Sequence, residues 1–232
     1  MSIANERVPL ATHLGVDDVH LWQVDLDAAP DEVQALAATL EPEERFRAEA
    51  FRLCRDRHRF VVAHGALRTI LGRYAGVDAC RLRLERSPRG KPALAGGVTA
   101  LDLRFNLAHS DGLALCAVTV GREVGVDVER IVPFESDLDL AEQFFGGGEA
   151  TALGAAPDAM RPHWFARCWT RMEALHKATG AGIVLGVERD DRPGWSVRTL
   201  EPRPGYLAAV AAPGETWELT CWIWKGLAHD LK

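Results

Sequence analysis

Three carboxylates and one lysine, placed in two short stretches of this chain, have the types and spacing to grip a hard cation and a phosphate ester. The first stretch, Gly125-Val126-Asp127-Val128-Glu129-Arg130, alternates as a β-strand does. Val124, Val126 and Val128 turn one way, and Gly125, Asp127 and Glu129 turn the other. Asp127 and Glu129 therefore share a face and can reach a single ion. The second stretch, Trp169-Thr170-Arg171-Met172-Glu173-Ala174-Leu175-His176-Lys177, reads as a helix. In it Trp169, Glu173 and Lys177 fall at i, i+4 and i+8 along one stripe. Glu173 adds a third carboxylate and Lys177 a cation, which would complete a site for Mg²⁺ and a phosphate ester. Neither stretch is specific alone. An Asp-x-Glu pair on a strand is ordinarily a solvated face, and a Glu and Lys four apart on a helix are ordinarily a surface pair.

Two upstream segments narrow the reading: Gly90-Lys91-Pro92, and then Phe105-Asn106-Leu107-Ala108-His109-Ser110. In this order the four segments resemble the motif set of the Sfp-type 4′-phosphopantetheinyl transferases, and the resemblance runs from about residue 40 to about residue 212. It implies an α+β fold of two similar halves with a pseudo-two-fold relation and the active site in the cleft between them. It also implies an activity. The 4′-phosphopantetheine arm of coenzyme A would pass to a serine of an apo acyl- or peptidyl-carrier protein, with Mg²⁺, releasing 3′,5′-ADP. Two rival readings stand beside it: another Mg²⁺-dependent phosphotransferase that uses ATP, and a non-catalytic homologue that binds carrier proteins.

By the same resemblance Asp127, Glu129 and Glu173 are the metal ligands. Glu173 is also the candidate base toward the carrier serine, a bridging water being the alternative. Lys177 matches the lysine that contacts the pyrophosphate, and it could stabilise charge on the departing nucleotide. His109 matches the histidine at the phosphate-bearing end of coenzyme A. Arg59, Lys91 and Pro92 match positions at the nucleotide end, with Pro92 restricting Lys91 to an extended backbone. Arg47 stands where a further basic residue is common. The chain departs from the family pattern at three places. Glu44 replaces a basic residue that some members carry. Met172 replaces a lysine before the motif glutamate, and Ala108 replaces a serine before the motif histidine. The expectation for Met172 is packing against the other half, and for Ala108 a lost hydroxyl near a phosphate.

Composition sets the wider frame. The chain has 232 residues, 47% of them hydrophobic and 26% charged, which matches an ordinary globular protein. A net charge of −6 argues against nucleic acid as the partner. No apolar run has the length of a membrane span, and no signal peptide is visible. The five cysteines are widely spaced without a C-x-x-C pair, as expected of reduced thiols in a cytoplasmic protein. A monomer is expected. Gly146-Gly147-Gly148 lacks the Lys-Ser/Thr of a P-loop and reads as a flexible turn.

The elements that must position these residues follow from periodicity. Val19 to Val24 reads as a strand, and Val33, Leu36, Ala37 and Leu40 mark a helix opened by Asp31-Glu32. Pro42 could begin a further helix. Phe60, His64, Leu67, Leu71 and Tyr74 make a helical stripe with Gly76 just beyond it. Arg81 to Glu85 reads as a strand, Ser87 to Gly90 as a turn, and Leu113 to Val120 as a strand buried on both faces. Leu138 to Phe145 and Pro162 to Thr179 read as helices. Trp195 to Leu200, Tyr206 to Ala211 and Trp217 to Trp224 read as strands, the last with Trp217, Leu219, Cys221 and Ile223 on one face and core packing as its main role. The order repeats about Gly121, which divides the chain into an N-terminal half, residues 1–121, and a C-terminal half, residues 122–232. The first would hold the nucleotide end and the second the metal and catalytic residues.

Overall fold

A computed structural model of the chain describes residues 13–87, 90–132, 141, 143–145, 147–180 and 192–227. In chain order the first half contains β1 (Asp18–Asp25), α1 (Pro30–Ala37), α2 (Pro42–Glu49), α3 (Cys54–Ala75), β2 (Leu84–Arg86), β3 (Pro92–Leu94), β4 (Leu103–Ser110) and β5 (Leu113–Val120). The second contains β6 (Gly125–Arg130), α4 (Gly147–Ala155), α5 (Arg161–Thr179), β7 (Trp195–Leu200), β8 (Tyr206–Pro213) and β9 (Glu218–Ile223). The expected helix over Leu138 to Phe145 falls largely outside the described residues.

The two halves repeat one topology. The first strand of each pairs antiparallel with the last of its own hairpin: β1 with β5, whose other neighbour is β4, and β6 with β8, whose other neighbour is β7. A long helix then covers the outer face of each sheet. The fold is α+β, of two similar halves, as the motifs implied.

Period-two alternation assigns each strand face to a layer. Trp22 and Val24 of β1 and Ala114, Cys116 and Val118 of β5 pack with α3, including Val62, Ala66, Ile70 and Leu71. Their alternates, Val19, Leu21, Leu113, Leu115 and Ala117, pack against Val124, Val126, Val128, Ala208, Val210 and Ala212 of the second sheet. The outer face of that sheet offers Ala209 and Ala211, covered by Ala174, Leu175 and Ala178 of α5. The strand β5 is thus buried on both faces, which is why it reads as a continuous apolar run.

Three features differ from the sequence expectation. Residues Ala79–Arg81 form a 3-10 turn, so the strand begins only at Leu84. The fully buried Arg68 guanidinium takes the carbonyls of Ala79 and Leu82 and draws the segment round it. Gly147 and Gly148 open α4 instead of forming a turn. The last strand, β9, belongs to the first sheet, where it pairs parallel with β1 from Asp18↔Glu218 to Gln23↔Ile223. Both of its faces are used: Leu219 joins the core between the sheets, while Trp222 and the following Trp224 pack on the α3 side. The first sheet is therefore completed by a strand from beyond the expected boundary at 121–122.

Helix α5 lies unusually close to β6, and one residue permits it. A Cβ on Gly125 would stand 2.0 Å from the Ala174 carbonyl oxygen and 2.4 Å from the Ala178 nitrogen. Those are backbone atoms, which cannot rotate away. Gly125→Ala should therefore cost about 1–3 kcal/mol or more in chemical denaturation, as overpacking does. Gly154→Ala, in α4 where nothing lies within 4 Å of the added carbon, should be neutral or stabilise by about 0.4–1 kcal/mol.

Candidate active site

The outward face of β6 carries Gly125, Asp127 and Glu129, so the close approach of α5 closes over both carboxylates. Asp127 is only 4% exposed. Its Oδ1 accepts from Lys177 Nζ at 2.5 Å, one end of the pair being buried and the other reaching solvent. Its Oδ2 is buried and has no partner. An ionised carboxylate oxygen left bare in the interior is costly unless something else comes to it. Burial pushes the Asp127 carboxyl up to about 7 against the opposing pull of Lys177, and the charges of Glu129 and Glu173 add to the rise. Glu129 is also raised by burial, while the Ser110 hydroxyl, donating to its Oε2 at 2.8 Å, pulls the other way.

The strand β4 joins the site from the first half. Asn106 accepts from the Val126 N–H at 2.9 Å and ties β4 to β6. Ser110, on the same strand face, also accepts from the Arg130 N–H while it holds Glu129. His109 points the opposite way, into a cavity of about 410 Å³ whose lining mixes the basic Arg47, His64 and Arg86 with the acidic Glu41, Glu43, Glu44 and Glu85, and includes Pro92 and Asn106. Partial burial, then the nearby charges of His64 and Lys177, keep His109 below the usual imidazole range. The roles of Asn106 and Ser110 escaped the sequence reading although both lie in the quoted motif. Their period-two spacing with Ala108 was the available signal.

The proposed residues are only partly gathered. Asp127, Glu129, Glu173 and Lys177 are electrostatic neighbours, and Arg47, Pro92 and His109 share one cavity. Lys91 lies in another, of about 580 Å³, where its Nζ donates to Glu123 and to the Val124 carbonyl. The Arg59 guanidinium is already engaged by Asp27 at 2.8 Å and Asp111 at 2.5 Å. Trp169 leaves the Glu173–Lys177 stripe for an aromatic cluster, stacking on Phe165 and meeting Phe144 edge-on. Met172 packs in that same cluster with Phe145, Leu153 and Cys168, so among the described residues its cluster lies within the second half and not against the first. Ala108 is buried between the sheets, on the strand face opposite His109, so a serine there would face the core and not a ligand in that cavity. The departures at 172 and 108 are packing positions.

The three acids form an open arrangement. Among the described residues no group of three His, Cys, Asp or Glu side chains is spaced to hold a metal ion. The donor set nevertheless suits Mg²⁺, which takes one or two protein carboxylates and fills its octahedron with water and phosphate oxygens. The unpartnered Asp127 Oδ2 is the buried donor such an ion would use.

The protonation of Asp127 is open to measurement. The folded carboxyl titrates near 7 and its ordinary value is 3.8, so the folded state keeps a proton the unfolded chain has lost. That group therefore costs stability as pH rises through this window. Without added divalent ion, Asp127→Asn should be more resistant to denaturant than the parent protein at about pH 8, and the difference should vanish near pH 4.

Comparison with known proteins agrees with this geometry. Residues 25–120 match the model described as 4′-phosphopantetheinyl transferase, N-terminal, and residues 123–222 match that of the 4′-phosphopantetheinyl transferase superfamily. The 4′-phosphopantetheinyl transferase HetI of a Nostoc species is 40% identical over 219 residues, covering 89% of this chain and 92% of that one. The transferase Sfp of Bacillus subtilis is 24% identical over 205 residues, 82% of this chain and 89% of that one. The L-aminoadipate-semialdehyde dehydrogenase-phosphopantetheinyl transferase of Xenopus laevis is 28% identical over 161 residues, 66% of this chain and 53% of that one. A buried Asp-Lys pair under a helix, two further acids beside it and a relative 40% identical across nearly its whole length lead to one conclusion: this chain belongs to the 4′-phosphopantetheinyl transferase superfamily and is a transferase.

Proposed function

We propose that this transferase moves the 4′-phosphopantetheine arm of coenzyme A to a serine of an apo acyl- or peptidyl-carrier protein, with Mg²⁺, and releases 3′,5′-ADP. The observation that carries the reading is the buried Asp127 carboxylate, one oxygen on Lys177 and the other unpartnered, with Glu129 and Glu173 close by. Asp127, Glu129 and Glu173 would hold Mg²⁺, which when bound neutralises the pyrophosphate oxygens.

The chain's own groups then have defined tasks. Glu173 takes the proton of the carrier serine, directly or through a water, as its oxygen attacks the phosphorus that bears the pantetheine arm. The bond from that phosphorus to the bridging oxygen breaks, and 3′,5′-ADP departs with the electron pair. Lys177, 31% exposed at its side chain, lies where it can turn from Asp127 to the negative charge on that leaving group. Arg47, Pro92 and His109 hold the nucleotide end in their shared cavity. Lys91 and Arg59 are held by carboxylate partners, and an exchange of partners would bring them to the ligand. We place the protein in the cytoplasm as a monomer with no nucleic-acid or membrane partner. No helix among the described residues is long and apolar enough to cross a membrane.

Incubation with coenzyme A and Mg²⁺ should add one phosphopantetheine mass to an apo carrier protein, read by intact-mass spectrometry. Carriers left unmodified across a broad panel would remove the reading. Asp127→Ala and Glu173→Ala should each abolish the transfer while the proteins stay folded. Met172→Lys should leave turnover within a few-fold and lower stability, because a charge would enter an apolar cluster.

A further inference from the structure

The cavity beside His109 has a second histidine, and its surroundings are built to orient it. His64, on α3, lines this cavity, and its Nδ1 lies 3.2 Å from Glu44 Oε1. Glu44 is 7% exposed, and its other oxygen accepts from the Glu41 N–H and from the fully buried Arg68. Burial works against ionisation of Glu44, yet the hydrogen bonds from His64 and the Glu41 N–H, with the charge of Arg68, hold it below the usual carboxylate range. An ionised carboxylate only accepts, so Nδ1 donates. Phe60 fixes the plane of the ring, stacked at 4.1 Å and 28°, and carries the Arg47 guanidinium 5.2 Å from its own ring centre.

A histidine that donates from Nδ1 to a carboxylate can also donate from Nε2 only as an imidazolium. An anionic ligand in the cavity favours that form, because the ring then lies between two negative groups. We infer that His64, oriented by Glu44, is a phosphate-binding residue that works with His109 and Arg47 on the 3′-phosphate of the coenzyme's nucleotide end. This rests on the reading above that the nucleotide end of coenzyme A occupies this cavity. It also accounts for the acidic residue at position 44. Glu44 lines the cavity too, but both of its oxygens are engaged by the protein, one by His64 and the other by the Glu41 N–H and Arg68; it supplies the counter-charge that would hold His64 as a cation on the neighbouring helix. Glu44 is a positioning residue, and His64 makes the contact.

The test uses titration calorimetry of 3′,5′-ADP and of adenosine 5′-monophosphate, alongside steady-state transfer from coenzyme A and dephospho-coenzyme A. His64→Gln keeps a donor toward Glu44 but cannot become cationic. It should weaken 3′,5′-ADP on the order of tenfold, a loss typical of one charge-assisted hydrogen bond, and leave the monophosphate unchanged. The KM for coenzyme A should rise in step while kcat stays within about twofold and dephospho-coenzyme A is unaffected. Glu44→Gln should give a smaller loss of the same pattern, and the double variant should be no worse than His64→Gln. Equal weakening of both nucleotides, or of neither, would overturn the inference. Because the calorimetry needs no carrier, the two readings fail separately. Loss of 3′-phosphate discrimination in His64→Gln without carrier modification by the parent protein would retire the proposed function and keep this assignment.

Discussion

The approach of α5 to β6 at Gly125 is the contact on which the site depends. The surfaces that meet there are glycine and alanine: Gly125, Ala209 and Ala211 on the sheet, Ala174 and Ala178 on the helix. Small residues let the two backbones close without a layer of long side chains between them. That closeness has two chemical results. It takes Asp127 out of water, and it sets Lys177, one turn beyond Ala174, against the same carboxylate. A buried acid with a raised proton affinity and a lysine that partly offsets it are consequences of one steric allowance.

The alternation of β6 then divides labour between the two faces of the second sheet. Its valines seal the sheet against the first half, and the residues between them carry charge toward α5. The same strand thus serves as core and as floor of the candidate site. The seam between β4 and β6, closed by Asn106 and Ser110, adds the first half's histidine to the second half's acids. His109 feels the charges of both His64 and Lys177, so it lies electrostatically between the acids of the second half and the cavity of the first.

Local pattern made much of this legible. Period-two spacing placed Asp127 and Glu129 on one face, and the four-residue step placed Glu173 and Lys177 on one helical stripe. The continuous apolar run of β5 announced burial on both sides. What the pattern could not show depended on groups distant in sequence. Trp217 to Trp224 looked like a strand with one buried face, but its partner is β1, and both faces are packed. The carboxylates that engage Arg59, Asp27 and Asp111, lie 32 and 52 residues away, so its ion pairs could not be read from local pattern. Ala108 looked like a lost hydroxyl because the motif gives residue order without saying which strand face meets the ligand.

The parallel pairing of β1 with β9 ties the beginning of the described fold to its end. In a growing chain the strand that lies beside β1 is made 200 residues after it, from Glu218. Until then one edge of the first sheet presents unpaired N–H and C=O groups, the kind of edge that recruits stray strands. The paired residues are 200 apart in sequence, and such contacts slow folding because loop closure precedes any gain from pairing. The N-terminal half can therefore collapse on its own helix during synthesis but cannot finish its sheet. Pairing of β9 with β1 becomes the step that commits both halves together, so a product lacking β9 would tend to aggregate instead of persisting as a folded half.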